Sequence, residues 1–172
     1  MYNKDVFEVW RGVLTAQPVE LVLDGGCGDG LSDDPWQFLK EVFGKTLKCV
    51  VGVDADDAHV NRRMNLFPEY PIIRGRIEDV FPLLRSKSFD VVLLMEIVEH
   101  LPKEKALLVL DEALRLARFQ VLVSTPNGFL KQEKPEKPLE THLCGFTEED
   151  FKVRGYETKI VSDHIIAWKK FS

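Results

Sequence analysis

Short apolar runs rich in valine, leucine and isoleucine alternate with stretches of helical periodicity along most of the chain. Seven runs have the composition of β-strands: VELVLD, LKCVVGVD, YPIIRGRI, FDVVLLME, FQVLVST, YETKIVS and HIIAWKKF. The first five do not alternate strictly between apolar and polar residues, which is typical of parallel strands buried on both faces. Because helical patterns separate most of these runs, they predict an open, doubly wound α/β sheet.

The last two runs are joined by too few residues for a parallel connection. A parallel crossover needs about a dozen residues, so these runs predict an antiparallel hairpin at one edge of the sheet. The expected fold is a single Rossmann-like domain over residues 1–172, with a seven-stranded, mostly parallel sheet and a C-terminal antiparallel hairpin. An N-terminal helix is predicted within residues 1–17.

A stretch rich in lysine, glutamate and proline, KQEKPEKPLE, follows the fifth predicted strand. Its composition is typical of an exposed loop. In sheets of this kind, ligands bind at the carboxyl edge of the strands, and the loop leaves the sheet at that edge. We therefore expect residues 127–145 to form a loop on the substrate side, either as a plain solvated connection or as a lid.

The first predicted strand runs into a loop with glycine at every second position, LVLDGGCGDG at residues 21–30. Glycine loses more conformational freedom on folding than any other residue, so such a loop needs a physical reason. The usual reasons are a sharp turn or a ligand that lies against bare backbone. The loop is therefore the candidate binding site for a nucleotide or a related cofactor.

Two classes of cofactor compete for this loop. A dinucleotide site requires the pattern G-x-G-x-x-G, but Leu31 stands where the third glycine would be. Asp29, Asp33 and Asp34 would also repel a pyrophosphate, although acids at the start of a helix can serve as caps. An NAD-dependent oxidoreductase is therefore disfavoured.

S-adenosylmethionine removes this conflict, because its methionine part carries a sulfonium and an ammonium and no phosphate. Asp24 could accept a hydrogen bond from the ammonium, directly or through water, while Gly26 and Gly28 let the backbone pass beside the methionine and the ribose. Asp54, in VVGVDADD, can accept hydrogen bonds from both ribose hydroxyls. NAD enzymes use the same device, so Asp54 indicates a nucleoside without choosing between the two cofactors.

Four segments in order resemble the motifs of class I S-adenosylmethionine-dependent methyltransferases: VLDGGCGDG, VVGVDADD, SFDVVLLMEIVEHL and VLVSTPNG. The resemblance extends from about residue 19 to the C-terminus. Together, the reading of the loop and this resemblance give a cofactor site formed by Asp24, Gly26, Cys27, Gly28, Gly30, Asp54, Ala55, Ile77, Glu78 and Glu96.

The resemblance also implies how the adenine is bound. Ala55 should pack on the ring, and the backbone of Ile77 and the side chain of Glu78 or Asp79 should lie at its edge. Many relatives carry an aspartate where this chain has Arg76, so the acid that reaches the adenine amino group is left open between Glu78 and Asp79.

The stretch MEIVEHLP contains the candidate catalytic residues Glu99 and His100, and THLCGF downstream adds His142. These side chains can serve packing and hydrogen bonding, His100 can act as a general base, or the group can bind a divalent metal together with Glu96. The pattern E-x-x-E-H resembles one in ubiquinone-biosynthesis O-methyltransferases and small-RNA 3′-terminal ribose methyltransferases, where it implies a metal that holds vicinal oxygens. Carboxylate, imidazole and water ligands suit Mg²⁺ or Mn²⁺.

Composition bears on partners and location. The net charge of −5 argues against broad contact with nucleic-acid phosphates, without excluding an RNA end in one pocket. The three cysteines form no disulfide framework, and no run reaches the roughly 20 apolar residues that span a bilayer. With no secretory signal visible, a cytoplasmic protein without membrane contact is expected.

The expected function is transfer of a methyl group from S-adenosylmethionine to oxygen or nitrogen of a small-molecule acceptor. The alternatives are methylation of an RNA-terminal ribose and a partner protein that binds S-adenosylmethionine without turnover. We expect no separate substrate domain within these 172 residues. The acceptor pocket is therefore expected to come from the N-terminal helix, the loop after the fifth strand and, in a homodimer, a second subunit.

Overall fold

The structure is a computed structural model in which residues 4–30 and 35–172 are described. Its strands are β1 (Leu21–Gly25), β2 (Cys49–Asp54), β3 (Ile72–Arg74), β4 (Phe89–Met95), β5 (Ala117–Pro126), β6 (Glu157–Val161) and β7 (His164–Lys170). Its helices are α1 (Lys4–Val13), α2 (Pro35–Phe43), α3 (Asp57–Leu66), α4 (Ile77–Val80), α5 (Lys103–Leu116) and α6 (Glu148–Lys152). Single turns of 3-10 helix lie at Gly44–Thr46, Phe81–Leu83, Val98–His100 and Pro138–Glu140.

The strands form one sheet in the order β3-β2-β1-β4-β5-β7-β6. Neighbours from β3 to β5 are parallel, whereas β7 is antiparallel to both β5 and β6. The predicted Rossmann-like sheet with a C-terminal antiparallel hairpin is therefore confirmed. The hairpin joins the sheet through its second strand, because β7 pairs with β5 and leaves β6 as the outer edge.

Burial explains why the inner strands appear in the sequence as continuous apolar runs. Every residue of β4 is buried, since β1 and β5 flank this strand and helices cover both faces of the sheet. At the edge, no residue of β6 is buried. One face of the sheet packs on α1 and α2 around Trp10, Trp36 and Leu39. The other packs on α5 and α6 around Leu110 and Phe151.

No helix among the described residues has both the length and the apolar character needed to cross a lipid bilayer.

The order of strands reverses at β1, which has β2 on one side and β4 on the other. In an open α/β sheet, ligands bind in the crevice outside the carboxyl ends of the strands at such a switch point. The glycine loop after β1, Asp54 at the end of β2 and Glu96 after β4 all border the same cleft there. The fold thus brings together residues that are far apart in the sequence.

Candidate active site

A cleft opens at the carboxyl ends of β1, β2 and β4, and its volume is about 740 Å³ when the solvent space at its mouth is included. His59, Leu139 and Glu140, which were not predicted as site residues, line part of it. The predicted cofactor residues that line it are Gly26, Gly28, Asp54, Ala55, Ile77, Glu78 and Glu96.

All three glycines of the loop have a positive φ, which favours glycine: 76° at Gly26, 61° at Gly28 and 75° at Gly30. Only Gly28 faces open space, since a Cβ there would meet no described atom within 4 Å. A Cβ on Gly26 would lie 2.5 Å from Cγ1 of Ile97, and one on Gly30 would lie 2.5 Å from Nη1 of Arg63. The sequence interpretation was therefore incomplete, because packing within the protein itself also requires two of these glycines.

Asp54 supports the glycine loop from the end of β2. Its Oδ2 accepts a hydrogen bond from the amide of Gly28, and its Oδ1 accepts one from the amide of Asp56, both at 2.8 Å. Burial alone would raise the pKa of Asp54, but the neighbouring His59 and these two amides lower it below its usual value. Asp54 is therefore a fixed, charged acceptor at the wall of the cleft.

Of the two acids proposed for the adenine edge, Glu78 lines the cleft and Asp79 does not, and both line a second groove against α5. The Oε1 atom of Glu78 lies 3.4 Å from Nζ of Lys105 and 3.6 Å from Nη1 of Arg76. Its Oε2 is buried and has no hydrogen-bond partner among the described residues. A buried acceptor without a donor is a place where a ligand can supply one.

Glu96 turns the chain after β4 with a φ of 46°, a conformation that is strained for a residue other than glycine. Its Oε2 lies 3.2 Å from Nε2 of His164 on β7, and its Oε1 is buried without a partner in the part of the chain that is described. The hydrogen bond with Glu96 raises the pKa of His164 to about 9, so this ring is a cation near neutral pH. No local pattern indicated His164, because the antiparallel hairpin alone brings it to Glu96.

The three predicted catalytic residues lie together, since one ligand atom from each of Glu99, His100 and His142 is within 4.8 Å of the others. The buried Glu99 accepts a hydrogen bond through Oε2 from Oγ1 of Thr125 at 2.9 Å, a contact that was not predicted. Burial, reinforced by the charge of Glu96, raises the pKa of Glu99 above its usual value. Burial also lowers the pKa of His100, which favours the neutral imidazole.

Backbone carbonyls fix both imidazole rings. The Nδ1 atom of His100 lies 3.1 Å from the oxygen of Thr141, and Nδ1 of His142 lies 2.7 Å from the oxygen of Leu130. A ring nitrogen that faces a carbonyl oxygen carries the proton, so Nε2 holds the lone pair in each neutral ring. With their centroids 4.9 Å apart, the two rings can accept a proton or coordinate a metal from neighbouring positions.

A sequence profile of methyltransferase domains matches residues 23–120, more than half of the chain. The match includes the glycine loop, Asp54 and the acidic turn after β4. The chain belongs to the methyltransferase domain family. The class I S-adenosylmethionine-dependent methyltransferase inferred from the motifs is thereby confirmed at the level of the family, and the protein is an enzyme of this kind. No curated protein sequence gives a significant match to the methyltransferase.

Solved structures share the fold of this methyltransferase over nearly its whole length. An S-adenosylmethionine-dependent methyltransferase from Archaeoglobus fulgidus has a TM-score of 0.66 and 16% identity, with 96% of this chain and 93% of that chain covered. Magnesium protoporphyrin IX methyltransferase from Synechocystis, with bound S-adenosylmethionine, has a TM-score of 0.63 and 17% identity, with 98% and 79% covered. The N-methyltransferase NodS from Bradyrhizobium japonicum, with S-adenosylhomocysteine, has a TM-score of 0.68 and 12% identity, with 97% and 85% covered.

Three residues predicted for cofactor binding, Asp24, Cys27 and Gly30, are not among the described residues that line the methyltransferase's cleft. Asp24 is buried beneath the glycine loop, where its carboxylate accepts a hydrogen bond from Nε1 of Trp36 at 2.9 Å and lies 3.5 Å from Nη2 of Arg63. A buried carboxylate needs such partners, and Asp24 obtains them from the protein. The structure therefore assigns Asp24 a supporting position under the loop, and its contact with an ammonium stays a prediction.

Packing within the protein accounts for Cys27 as well. A Cβ on Gly52 would lie 2.7 Å from its Sγ, and burial raises the pKa of the thiol far above its usual value. Cys27 therefore packs against β2 of the methyltransferase. Asp33 and Asp34 lie outside the described residues, so their effect on a pyrophosphate also stays a prediction.

Replacing Gly26 by alanine should destabilise the methyltransferase by about 2 kcal/mol, because the new Cβ would meet Ile97 and the residue would need a left-handed φ. The matched control is Gly28→Ala, which has the same sign of φ but open space at its Cβ, and a loss of about 1 kcal/mol is expected there. Urea denaturation of both variants measures the difference. Equal losses would show that Ile97 does not determine the residue at position 26.

Proposed function

We propose that the protein transfers a methyl group from S-adenosylmethionine to oxygen or nitrogen of a small-molecule acceptor. The observation that carries this proposal is the arrangement of the cleft. At one end, the cleft is lined by the fixed carboxylate of Asp54 and the unpartnered oxygen of Glu78. At the other end, it is lined by Glu96 and by His100, which belongs to the cluster of predicted catalytic residues. The first end suits the nucleoside of the cofactor, and the second suits the methyl group that is transferred.

The nucleoside half of the cofactor is assigned to the end of β2 and the start of α4. Each oxygen of Asp54 accepts one backbone hydrogen bond. Oδ1 also faces Nδ1 of His59 at 3.6 Å, and the remaining lone pairs of the carboxylate are directed to the ribose hydroxyls. Ala55 and Ile77 supply apolar contacts to the adenine. Glu78 would accept a hydrogen bond from the adenine amino group, and the backbone at Gly28 would run beside the methionine.

Glu99, His100 and His142 are assigned to the acceptor. The sulfonium is already an activated donor, so the protein must mainly align the acceptor atom with the methyl carbon and remove its proton where necessary. The Nε2 lone pairs of the two histidines and the unpartnered, buried Oε1 of Glu99 can accept hydrogen bonds from an acceptor hydroxyl or amine. This role makes the cluster the catalytic part of the site.

The same cluster fits a divalent cation, which is the second candidate for its chemistry. Glu99 supplies an oxygen, and the carbonyl contacts of His100 and His142 leave both Nε2 atoms free to coordinate, the usual outer-shell arrangement for ligating histidines. A Mg²⁺ or Mn²⁺ ion there would hold acceptor oxygens and acidify a bound hydroxyl. The protein's own part is to fix the three ligands, two from the 3-10 turn Val98–His100 and one from the loop 127–145.

A small molecule is preferred to RNA because of the charges at the mouth of the site. The lysines of loop 127–145 are each paired with a glutamate: Lys131 with Glu133, and Lys134 and Lys137 with Glu140. Because these glutamates offset the positive charge of the lysines, the loop offers little attraction to a phosphate backbone. A homodimer that completes the acceptor pocket remains part of the proposal.

Calorimetric titration and a transfer assay test the proposed function together. Purified protein should bind S-adenosylhomocysteine and not NAD, and it should transfer a labelled methyl group to members of a panel of small phenols, catechols and amines. Binding of the cofactor with transfer only to RNA ends would support the RNA alternative. Binding without transfer to any acceptor would support a regulatory partner, and tight NAD binding alone would refute the proposal.

A further inference from the structure

Part of the loop 127–145 lies over the nucleoside end of the cleft. Leu139 and Glu140, in the 3-10 turn Pro138–Glu140, are lining residues of the cleft. The side chain of Gln132 donates a hydrogen bond from Nε2 to the carbonyl oxygen of Glu140 at 2.9 Å, which ties this turn to the rest of the loop. We call residues 127–145 the strap.

His59, on α3, lies between the strap and the end of β2. Its Nδ1 is 3.6 Å from Oδ1 of Asp54, and its Nε2 is 3.8 Å from Oε1 of Glu140. The ring is about four-fifths buried, with 22% of its side-chain surface exposed, and it lines the cleft. One imidazole thus faces the carboxylate assigned to the ribose and, through its other nitrogen, a carboxylate of the strap.

Charge favours this arrangement. The carboxylate of Asp54 raises the pKa of His59, which favours the imidazolium. The carboxylate of Glu140 also pairs with the ammonium groups of Lys134 and Lys137, within the strap. The ring is therefore placed between two carboxylates, those of Asp54 and Glu140.

We propose that His59 is a positioning residue that couples occupancy of the nucleoside cleft to closure of the strap through Glu140. The proposal rests on the proposed function, because the occupant is the nucleoside of S-adenosylmethionine or its product. A ribose bound to Asp54 holds that carboxylate and His59 in place, and His59 then holds the strap. Release of the product requires the contact between His59 and Glu140 to open.

The other end of the strap is bound to the acceptor side of the site. The amides of Leu143 and Cys144 donate hydrogen bonds to the carbonyl oxygen of Glu99 at 2.8 and 3.2 Å, and His142 lies in this segment. A strap closed by the cofactor therefore also steadies His142.

A double-mutant cycle of His59→Gln and Glu140→Gln tests the coupling. The measured quantity is the rate at which S-adenosylhomocysteine is released, monitored by displacement in a stopped-flow instrument. Each single variant should release the product about three- to fivefold faster than the wild type, the range expected for loss of one partly exposed ion pair. The double variant should be no faster than the faster single variant, because both changes break the same contact. Glu133→Gln, an exposed change in the strap at a residue paired with Lys131, should leave the rate unchanged.

Hydrogen–deuterium exchange supplies the second measurement. S-adenosylhomocysteine should slow exchange of the strap amides in the wild type and in Glu133→Gln, but not in His59→Gln or Glu140→Gln. Additive effects on the release rate, unchanged rates in the single variants, or strap protection that survives both substitutions would overturn the coupling. These outcomes all presuppose binding by the wild type, so failure to bind S-adenosylhomocysteine would instead refute the proposed function.

Discussion

Replacing Asp54 by alanine is expected to weaken binding of S-adenosylhomocysteine by about 2 to 3 kcal/mol, or roughly 30- to 150-fold. The carboxylate is the proposed acceptor for both ribose hydroxyls, and hydrogen bonds to a charged acceptor are stronger than those between neutral groups. The same carboxylate accepts hydrogen bonds from the amides of Gly28 and Asp56, so its loss also removes a contact that holds the glycine loop in place. Both effects act on the nucleoside end of the cleft, and calorimetric titration measures their sum.

Two variants separate the ribose contact from general damage. Asp54→Asn keeps the shape and one acceptor oxygen, so its affinity should fall between those of the wild type and the alanine variant. Asp57→Ala removes an exposed carboxylate one turn away, which is paired with Arg74, and should leave affinity unchanged. Thermal denaturation of each variant shows whether it is folded at the temperature of the titration. Unchanged affinity in a folded Asp54→Ala protein would refute the assignment of Asp54 to the ribose.

The features that could be predicted from the sequence are those with a local or periodic cause. Strands buried on both faces need continuous apolar runs, which is why β4 was recognisable. The short link between β6 and β7 allows only a hairpin. Asp54 and the residues after β4 were found because the carboxyl ends of parallel strands meet at one edge, so position along a strand determined position in the site.

The features that escaped prediction depend on contacts between distant segments. His164 reaches Glu96 only because β7 is inserted beside β5, and the sequence of the hairpin contains nothing that specifies this partner. Thr125 holds Glu99 for a similar reason. Both are polar residues of strands, which by themselves indicate neither burial nor function.

Arg63 is the clearest example of a residue whose environment overrides its usual preference. Arginine is rarely fully buried, so NRRM in α3 was not recognised as part of the support for the site. In the structure its guanidinium is wholly buried, 3.8 Å from the centroid of Trp36, and it also lies beside Asp24 and under Gly30. Asp24, which was predicted to bind the ammonium of the cofactor, thus has the guanidinium of Arg63 as a cationic neighbour within the protein.

If the cluster binds a divalent metal, excess EDTA should lower methyl transfer by a factor on the order of 100 or more, and added Mg²⁺ or Mn²⁺ should restore it. The expectation follows from the cluster of Glu99, His100 and His142, in which one ligand atom from each lies within 4.8 Å of the others. Binding of S-adenosylhomocysteine should be nearly unaffected by the chelator, because the proposed metal ligands are assigned to the acceptor end of the site. A transfer assay and a titration on the same chelated sample separate the two effects.

Substitution of the ligands gives a measurement that does not depend on knowing the acceptor. Mn²⁺ should raise the melting temperature of the wild type and of Glu136→Ala, an exposed change in the same loop, but not that of Glu99→Gln or His142→Ala. Glutamine at position 99 keeps the volume and can still accept the hydrogen bond from Thr125, so its loss of the Mn²⁺ effect would report ligation rather than misfolding. Full transfer activity in excess chelator, together with equal melting temperatures with and without Mn²⁺, would show that these residues act on the acceptor directly. His100 would then be the general base, since its Nε2 carries the lone pair and burial favours its neutral form.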